Sequence, residues 1–242
     1  MKLVGERRAL AAVIFAFYFL QCLMAVLMGQ IPPAYANAFA AIAGVYGLAF
    51  FSLVAGYFWA RWYSVGVGLY GVIVGVVAIW KEGTEPIYMF VLLTHLAAAA
   101  MLWGNKMSVP YDGQTAWREK FHMDENAVQR LGRSVIRAGV SLPFVLLYAL
   151  APRPDAEMIG AIAALALAGF GLRAITRMKT WGILALGAAG SILVMQSGAQ
   201  VVSSGVTTSL LAPALGGVLL LAAAAPFVPA MFRYLRTASR QA

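Results

Sequence analysis

The chain has 242 residues, of which 62% are hydrophobic and only 11% are charged, and its formal net charge is +9. Soluble domains carry about a quarter charged residues, so the composition excludes a water-soluble globular protein. A cationic excess of this size is typical either of nucleic-acid binding or of a membrane protein with basic loops on one side.

Eight apolar runs along the chain predict membrane-spanning helices. A helix needs roughly 20 apolar residues to cross the hydrocarbon core, and in lipid each backbone amide must be paired within its own segment. The fifth and sixth runs are short and must borrow flanking residues. The runs cover 9–29, 38–60, 63–80, 87–104, 137–151, 157–172, 181–199 and 207–232. We therefore expect an all-α, polytopic membrane bundle with eight transmembrane helices.

The distribution of cations along these runs predicts the topology. With the N-terminus inside, 16 of the 18 Lys and Arg residues lie in cytoplasmic segments, and only Lys81 and Arg153 lie in outer loops. Cytoplasmic loops are enriched in cations, and a miscounted span would invert the side of every later segment. We therefore expect both termini in the cytoplasm. The same distribution accounts for the net charge without nucleic acid, which is not an expected partner; anionic lipid headgroups are.

The first span also has features of a signal sequence, since Lys2, Arg7 and Arg8 precede it. Its 21-residue apolar run is longer than the roughly 7–15 residues of a signal peptide, which favours a retained span. Cys22 lies within this span and, as the single cysteine, excludes an internal disulfide. Without eukaryotic targeting signals, the predicted location is a bacterial inner membrane.

The spans divide into two halves around one polar segment. Residues 1–104 hold spans one to four, 105–136 form a cytoplasmic connector, and 137–242 hold spans five to eight and a short basic tail. Residues 62–71 align with 181–190 at an offset of 119, both beginning with Trp and containing matched glycines. Because each half starts and ends inside, a duplication of this kind predicts a parallel 4+4 repeat.

Small residues recur at helical spacing within the spans. In lipid, helix association depends on close approach of backbones, which small side chains permit. Such faces pack the helices of one chain or dock a second membrane subunit, and the sequence leaves both interpretations open. The sets are Ser64/Gly68, Gly71/Gly75, Ala40/Gly44, Gly160/Ala164/Ala168 and Gly182 with Ala185, Gly187 and Ala189.

Prolines in two spans predict kinks. Pro143 in span five and Pro213 in span eight should each bend the helix and free a backbone carbonyl, as in the broken helices of transporters. The corresponding spans of the first half lack proline, so the symmetric pattern of a transporter site is missing and purely structural kinks are the favoured interpretation.

The connector contains an amphipathic stretch. Asp124 is a suitable N-cap for a helix that starts at Glu125 and continues into span five. One face of this helix carries Arg130, Arg133 and Arg137; the other carries Val128, Leu131 and Val135.

Upstream in the connector, Trp117 and Phe121 lie four residues apart beside Arg118 and Lys120, a pattern of a short interfacial helix. The connector is expected either to anchor the chain at the headgroups or to bind a partner or a phosphate-bearing lipid through its cations.

His95, next to Thr94, is the one ionisable side chain near the centre of a predicted span. Three roles are open: an interhelical hydrogen bond, to Gln21 or Gln196; a haem, metal or quinone ligand; or a substrate contact. A bis-histidine haem needs two intramembrane histidines, and His122 lies in the connector. We expect no cofactor and no metal site.

Polar residues crowd the outer end between spans seven and eight, and either line a vestibule or solvate a loop. They are Gln196, Ser197, Gln200, Ser203, Ser204, Thr207 and Thr208. No Asp, Glu, Lys or Arg lies near the middle of a predicted span, which argues against proton-coupled antiport, a stator or a voltage sensor. Catalytic motifs such as G-x-S-x-G and H-E-x-x-H do not occur.

Three functions follow. The first is a non-catalytic membrane subunit or scaffold that docks partner membrane proteins or lipids through small-residue faces and the basic stub. The second is a transporter or channel for a small neutral or lipidic substrate, with His95, Thr94, Gln196, Pro143 and Pro213 as contacts. The third is a membrane redox or lipid-modifying enzyme that uses His95.

Overall fold

The computed structural model describes residues 3–108, 125–177, 179, 181–205, 207 and 210–229, and within them the regular structure is helical with no strand. Short 3₁₀ turns lie at Asn105–Ser108 and Ala225–Phe227. The all-α prediction is confirmed for this part of the chain. The helices are α1 (Leu3–Leu27), α2 (Pro33–Ala55), α3 (Ala60–Glu82), α4 (Pro86–Leu102), α5 (Glu125–Leu150), α6 (Asp155–Thr176), α7 (Trp181–Ser204) and α8 (Leu211–Ala224).

Six of these eight helices, α1, α2, α3, α5, α6 and α7, are long and apolar enough to cross a membrane. The other two are shorter apolar stretches, Pro86–Leu102 and Leu211–Phe227. At about 1.5 Å per residue, 17 residues extend about 26 Å, slightly less than the hydrocarbon core of about 30 Å. This set of helices is compatible with a multi-pass membrane protein in which α4 and α8 are the short members.

Helix α5 begins at Glu125 and runs without interruption to Leu150, as predicted from the connector. Val128, Leu131 and Val135 are buried in the core, so the apolar face assigned to this stretch is confirmed. The fifth run is short in the sequence because Arg130, Arg133 and Arg137 interrupt its hydropathy, whereas the helix that contains it has 26 residues.

Helix α8 differs from the prediction, because it starts at Leu211 and places Pro213 in its first turn. The first N–H groups of a helix have no intrahelical acceptor, so proline there breaks no hydrogen bond. The kink predicted at Pro213 is therefore wrong. Pro143 lies inside α5, as expected, and close to it the Ser141 hydroxyl donates a 2.7 Å hydrogen bond to the carbonyl of Gly216 in α8.

The helices form two groups of four along the chain, the first half (α1–α4) and the second half (α5–α8). In each half, consecutive helices pack together and the fourth packs against the first. The halves meet where α5 packs against α3 and α2. A duplication would produce this shared pattern, but the 4+4 repeat itself stays a prediction.

The halves approach most closely where two glycines face each other. A Cβ on Gly66 of α3 would lie 2.5 Å from the carbonyl oxygen of Ile136 and 3.0 Å from the Cα of Gly139, both in α5. A Cβ on Gly139 would lie 3.1 Å from the carbonyl oxygen of Tyr63. Only glycine, whose side chain is a single hydrogen atom, permits two helix backbones to come this close where they cross.

The matched glycines of the internal alignment occupy equivalent positions. Gly71 of α3 packs against His95 in α4, and Gly190 of α7 packs against the backbone of Gly217 in α8. In each half, the third helix thus uses the same aligned glycine to approach the fourth.

Candidate functional site

His95 is the centre of a buried polar cluster in the first half, and its side chain is 1% exposed. Its Nδ1 lies 2.8 Å from the carbonyl oxygen of Val91, and its Nε2 lies 2.8 Å from the hydroxyl of Tyr46. A carbonyl only accepts, so Nδ1 carries the proton, and Nε2 of the neutral ring accepts from Tyr46. The prediction of an interhelical hydrogen bond is confirmed, but the partner is Tyr46 rather than Gln21 or Gln196.

Thr94 joins the same cluster through α1. The hydroxyls of Thr94 and Tyr18 lie 2.6 Å apart, and the Thr94 hydroxyl donates to the carbonyl of Phe90 at 2.7 Å. The ring of Tyr18 lies against His95 with centroids 4.2 Å apart, and stacks on Tyr46 at 5.3 Å. The cluster therefore ties α1, α2 and α4 together through side chains whose polar atoms are paired.

The imidazole ring of His95 fits against α3 because α3 has a glycine, Gly71, at the point of contact. A Cβ on Gly71 would overlap Cδ2 of His95, so any other residue would displace the ring. With both ring nitrogens bonded within the chain and the ring against a helix backbone, this geometry is that of a structural hydrogen-bonded core. The roles of His95 and Thr94 in substrate or cofactor binding stay predictions.

Arginines at one end of the bundle donate to carbonyls at the C-termini of neighbouring helices. Arg7 donates to the carbonyls of Ala100 and Trp103 near the end of α4, each at 3.0 Å. Arg8 donates to the carbonyls of Leu53 and Val54 at the end of α2, at 2.7 and 2.8 Å. These donors add hydrogen bonds to carbonyls near the helix C-termini, of which those of Leu53 and Ala100 also accept a backbone N–H, and they place positive charge at the negative ends of helix dipoles.

The same arrangement holds α4 and α8 at this end, which we call the basic end. Arg61 donates to the carbonyl of Leu102 at 3.0 Å, and Arg137 donates to the carbonyl of Ala222 in α8 at 2.6 Å. The sequence predicts these cations in cytoplasmic segments, but no local pattern indicates which helix end each of them reaches.

The three arginines assigned to the basic stub have different environments. Arg130 and Arg133 are exposed, whereas Arg137 is half-buried and bonded to Ala222. The guanidinium Nε of Arg130 also donates to the carbonyl of Asn126 at 3.3 Å. The remaining predicted binding residues of the connector, Trp117, Arg118 and Lys120, lie outside the described residues, as does Phe121.

An apolar groove, which we call the basic-end groove, lies between the two halves near the basic end and has a volume of about 350 Å³. Its apolar walls come from α2, α3, α5 and α6, and Arg173 and Thr176 border it at the end of α6. Gly169 also lines it and has open space where a Cβ would be. Its walls include Leu48, Tyr63, Val135, Leu142 and Leu172.

A second pocket, the distal pocket, lies between the halves at the opposite end and has a volume of about 530 Å³. Glu157 and Gln200 border it, and Gln200 Nε2 donates to Glu157 Oε2 at 2.5 Å. Gln196 Nε2 donates to the backbone carbonyl of Glu157 at 3.1 Å. The polar residues predicted at this end thus include two that hold the start of α6 in place.

Most of the small-residue faces pack the chain's own helices. Gly68 and Gly75 of α3 face α4, Gly160 of α6 faces Gln196, and a Cβ on Gly182 of α7 would lie 2.7 Å from a carbonyl oxygen of α6. Gly44 on α2 is the exception, because nothing lies within 4 Å of its Cβ position. The interpretation of these faces as intramolecular packing is supported at each of the first four sites.

Comparisons with protein-family models, curated proteins and solved structures found no match for this chain.

Proposed function

We propose that the chain is a non-catalytic, multi-pass protein of a bacterial inner membrane that docks an anionic lipid at its cytoplasmic side. In the proposed topology eight helices cross the membrane, both termini are cytoplasmic, and the basic end faces the cytoplasm. Six long apolar helices support a membrane setting. The segregation of Lys and Arg supports this orientation, because cations are retained on the cytoplasmic side.

The basic-end groove is the observation that carries this proposal. Its walls are apolar and suit an acyl chain, and Arg173 is exposed beside it, where a lipid headgroup would lie. Anionic headgroups attract a nearby cation with about 1 kcal/mol. The groove lies between the halves, where α2, α3, α5 and α6 all contribute, so a bound lipid would also brace the two halves.

Replacing Arg173 by Gln is expected to weaken retention of phosphatidylglycerol about five-fold, since one headgroup contact of about 1 kcal/mol is lost. Gly169→Leu should have a similar effect by filling the groove, because Gly169 lines it and a Cβ at this position has nothing within 4 Å. Native mass spectrometry of the detergent-purified protein, with phosphatidylcholine as the reference lipid, measures both.

Arg177→Gln is the matched control, because Arg177 is exposed at the same end of α6 but does not line the groove. Retention of phosphatidylglycerol by the Arg173 and Gly169 variants at the wild-type level would contradict the proposal.

We propose a partner membrane subunit as the second docking function, because Arg130 and Arg133 are exposed on a helix whose other face is buried. Their double replacement by Glu should move the protein from a larger complex to the position of a single 25.8 kDa chain with its bound detergent on native gels in mild detergent. The same charge reversal at exposed Arg177 and Lys179 should leave migration unchanged. Equal migration of wild type and the Arg130/Arg133 variant would exclude docking through these arginines.

A further inference from the structure

Arg153 is held in an unusual place at the distal end of the bundle. It follows α5, between Pro152 and Pro154, and Pro154 immediately precedes the first residue of α6. Instead of extending into solvent, its guanidinium lies over the ring of Tyr148, with Cζ 4.0 Å from the ring centroid. This is the geometry of a cation–π contact. Both residues line the distal pocket.

Three hydrogen-bonding atoms of this pair are buried without making a hydrogen bond. Nε and Nη1 of Arg153 and the hydroxyl of Tyr148 have no hydrogen-bond partner among the described residues, and Tyr148 is only 9% exposed. Buried polar groups are nearly always paired, because an unpaired donor loses its water without compensation. Three unpaired groups at one wall of a pocket therefore point to a ligand with anionic oxygens, which charged and hydroxyl donors bind best.

Acceptors lie at the same pocket or next to it. Glu157 borders it with a carboxylate, of which Oε2 accepts from Gln200. Beside Glu157, the Oε1 of Gln196 is buried and has no partner in the described part of the chain. A simple anion would be repelled by Glu157, whereas a group that carries both charges would pair with Arg153 and with Glu157.

The sequence position of Arg153 agrees with a ligand role. In the proposed topology it is one of two cations on the outer side, where Lys and Arg are disfavoured. The other, Lys81, is exposed, whereas Arg153 is partly buried in a pocket. Partial burial in a pocket is not expected for a cation that only faces solvent in a loop, so the environment of Arg153 agrees with ligand binding.

We propose that the distal pocket binds a zwitterionic group, with a phosphate or carboxylate against Arg153 and Tyr148 and an ammonium against Glu157. Phe39 and Leu147 line the same pocket and would contact an attached hydrocarbon chain. The chemistry is shared by a phosphatidylethanolamine headgroup and by a free zwitterion. This proposal depends on the membrane topology proposed above but not on lipid binding in the basic-end groove.

The test is the affinity of the detergent-purified protein for short-chain phosphatidylethanolamine, with phosphoethanolamine and short-chain phosphatidylglycerol as separate probes. Arg153→Gln is expected to weaken phosphatidylethanolamine binding about ten-fold or more, and Tyr148→Phe about five-fold, because the first removes a charged donor and the second a neutral one. Lys81→Gln removes the same charge from the same end and should bind as wild type does. Tyr148→Phe keeps the ring under Arg153, so it isolates the hydroxyl from the packing.

Glu157→Gln should abolish the preference for phosphatidylethanolamine over phosphatidylglycerol, since only the first carries an ammonium. Binding of phosphoethanolamine as tight as that of the lipid would assign the site to a free zwitterion, and tighter binding of the lipid would assign it to the headgroup. Wild-type affinity in both the Arg153 and Tyr148 variants would overturn the proposal, as would equal binding of both lipids by the wild-type protein. Substitutions at Arg173 do not change the distal pocket, so the proposals for the two sites are tested independently.

Discussion

Gly71→Ala is expected to destabilise the protein by about 3 kcal/mol, at the upper end of the range for overpacking a filled core. The new methyl group would overlap the imidazole of His95, so the ring must leave its position. Both of its hydrogen bonds, to Tyr46 and to the carbonyl of Val91, would then be lost. The unfolding midpoint in detergent should fall by roughly 10 °C.

A double-mutant cycle identifies the cause. His95→Ala removes the ring that the new methyl group would meet, so the loss from Gly71→Ala should be several-fold smaller in that background. Gly44→Ala is the control, because the same methyl group meets nothing within 4 Å and replaces glycine in a helix interior. If Gly71→Ala leaves the midpoint unchanged, the close packing of α3 on His95 is wrong.

Gly66→Ala is expected to separate the two halves and to cost at least as much stability as Gly71→Ala. Its methyl group would lie 2.5 Å from the carbonyl oxygen of Ile136 and 3.0 Å from the backbone of Gly139. These are backbone atoms of α5 and cannot rotate away, so α3 and α5 must move apart. The distance between spin labels on α2 and α6 should increase along with a fall in the unfolding midpoint.

A second substitution distinguishes Gly66→Ala from Gly71→Ala, because stability is recovered in one case and not in the other. Truncation of Ile136 to Ala should not restore Gly66→Ala, because the obstacle is a carbonyl rather than a side chain. Gly187→Ala is the control within α7, since its methyl group would make an ordinary 3.9 Å contact with Ala224. An unchanged label distance in Gly66→Ala would contradict the predicted separation of the halves.

Gly71 and Gly66 are required for two different levels of the architecture. Gly71 is needed to assemble the polar cluster within the first half, and Gly66 is needed to join the first half to the second. Both pockets lie along that junction, at its opposite ends. Stability of the junction and occupancy of the pockets are therefore expected to be coupled, because a ligand that binds only the joined state stabilises it.

Much of the fold follows from the sequence because lipid imposes simple rules. Hydropathy predicts helices and their approximate limits, and the wheel over 125–137 correctly separates the buried Val128, Leu131 and Val135 from the exposed Arg130 and Arg133. The same hydropathy rule misjudged span eight, since it continued the apolar run before Leu211 and so placed Pro213 inside the helix rather than in its first turn.

Composition, hydropathy and the segregation of cations are local properties of the chain, and they determined its all-helical, apolar character. Its contacts between distant residues were decided by tertiary structure alone. Tyr46 rather than a glutamine meets His95 because the packing of α2 and α4 brings the Tyr46 hydroxyl within 2.8 Å of Nε2 of His95. The polar groups of Arg153 and Tyr148 are buried without a partner only because residues from separate helices form a pocket around them. Hydropathy records how each residue prefers lipid or water, whereas a binding site depends on which side chains the packing of separate helices brings together.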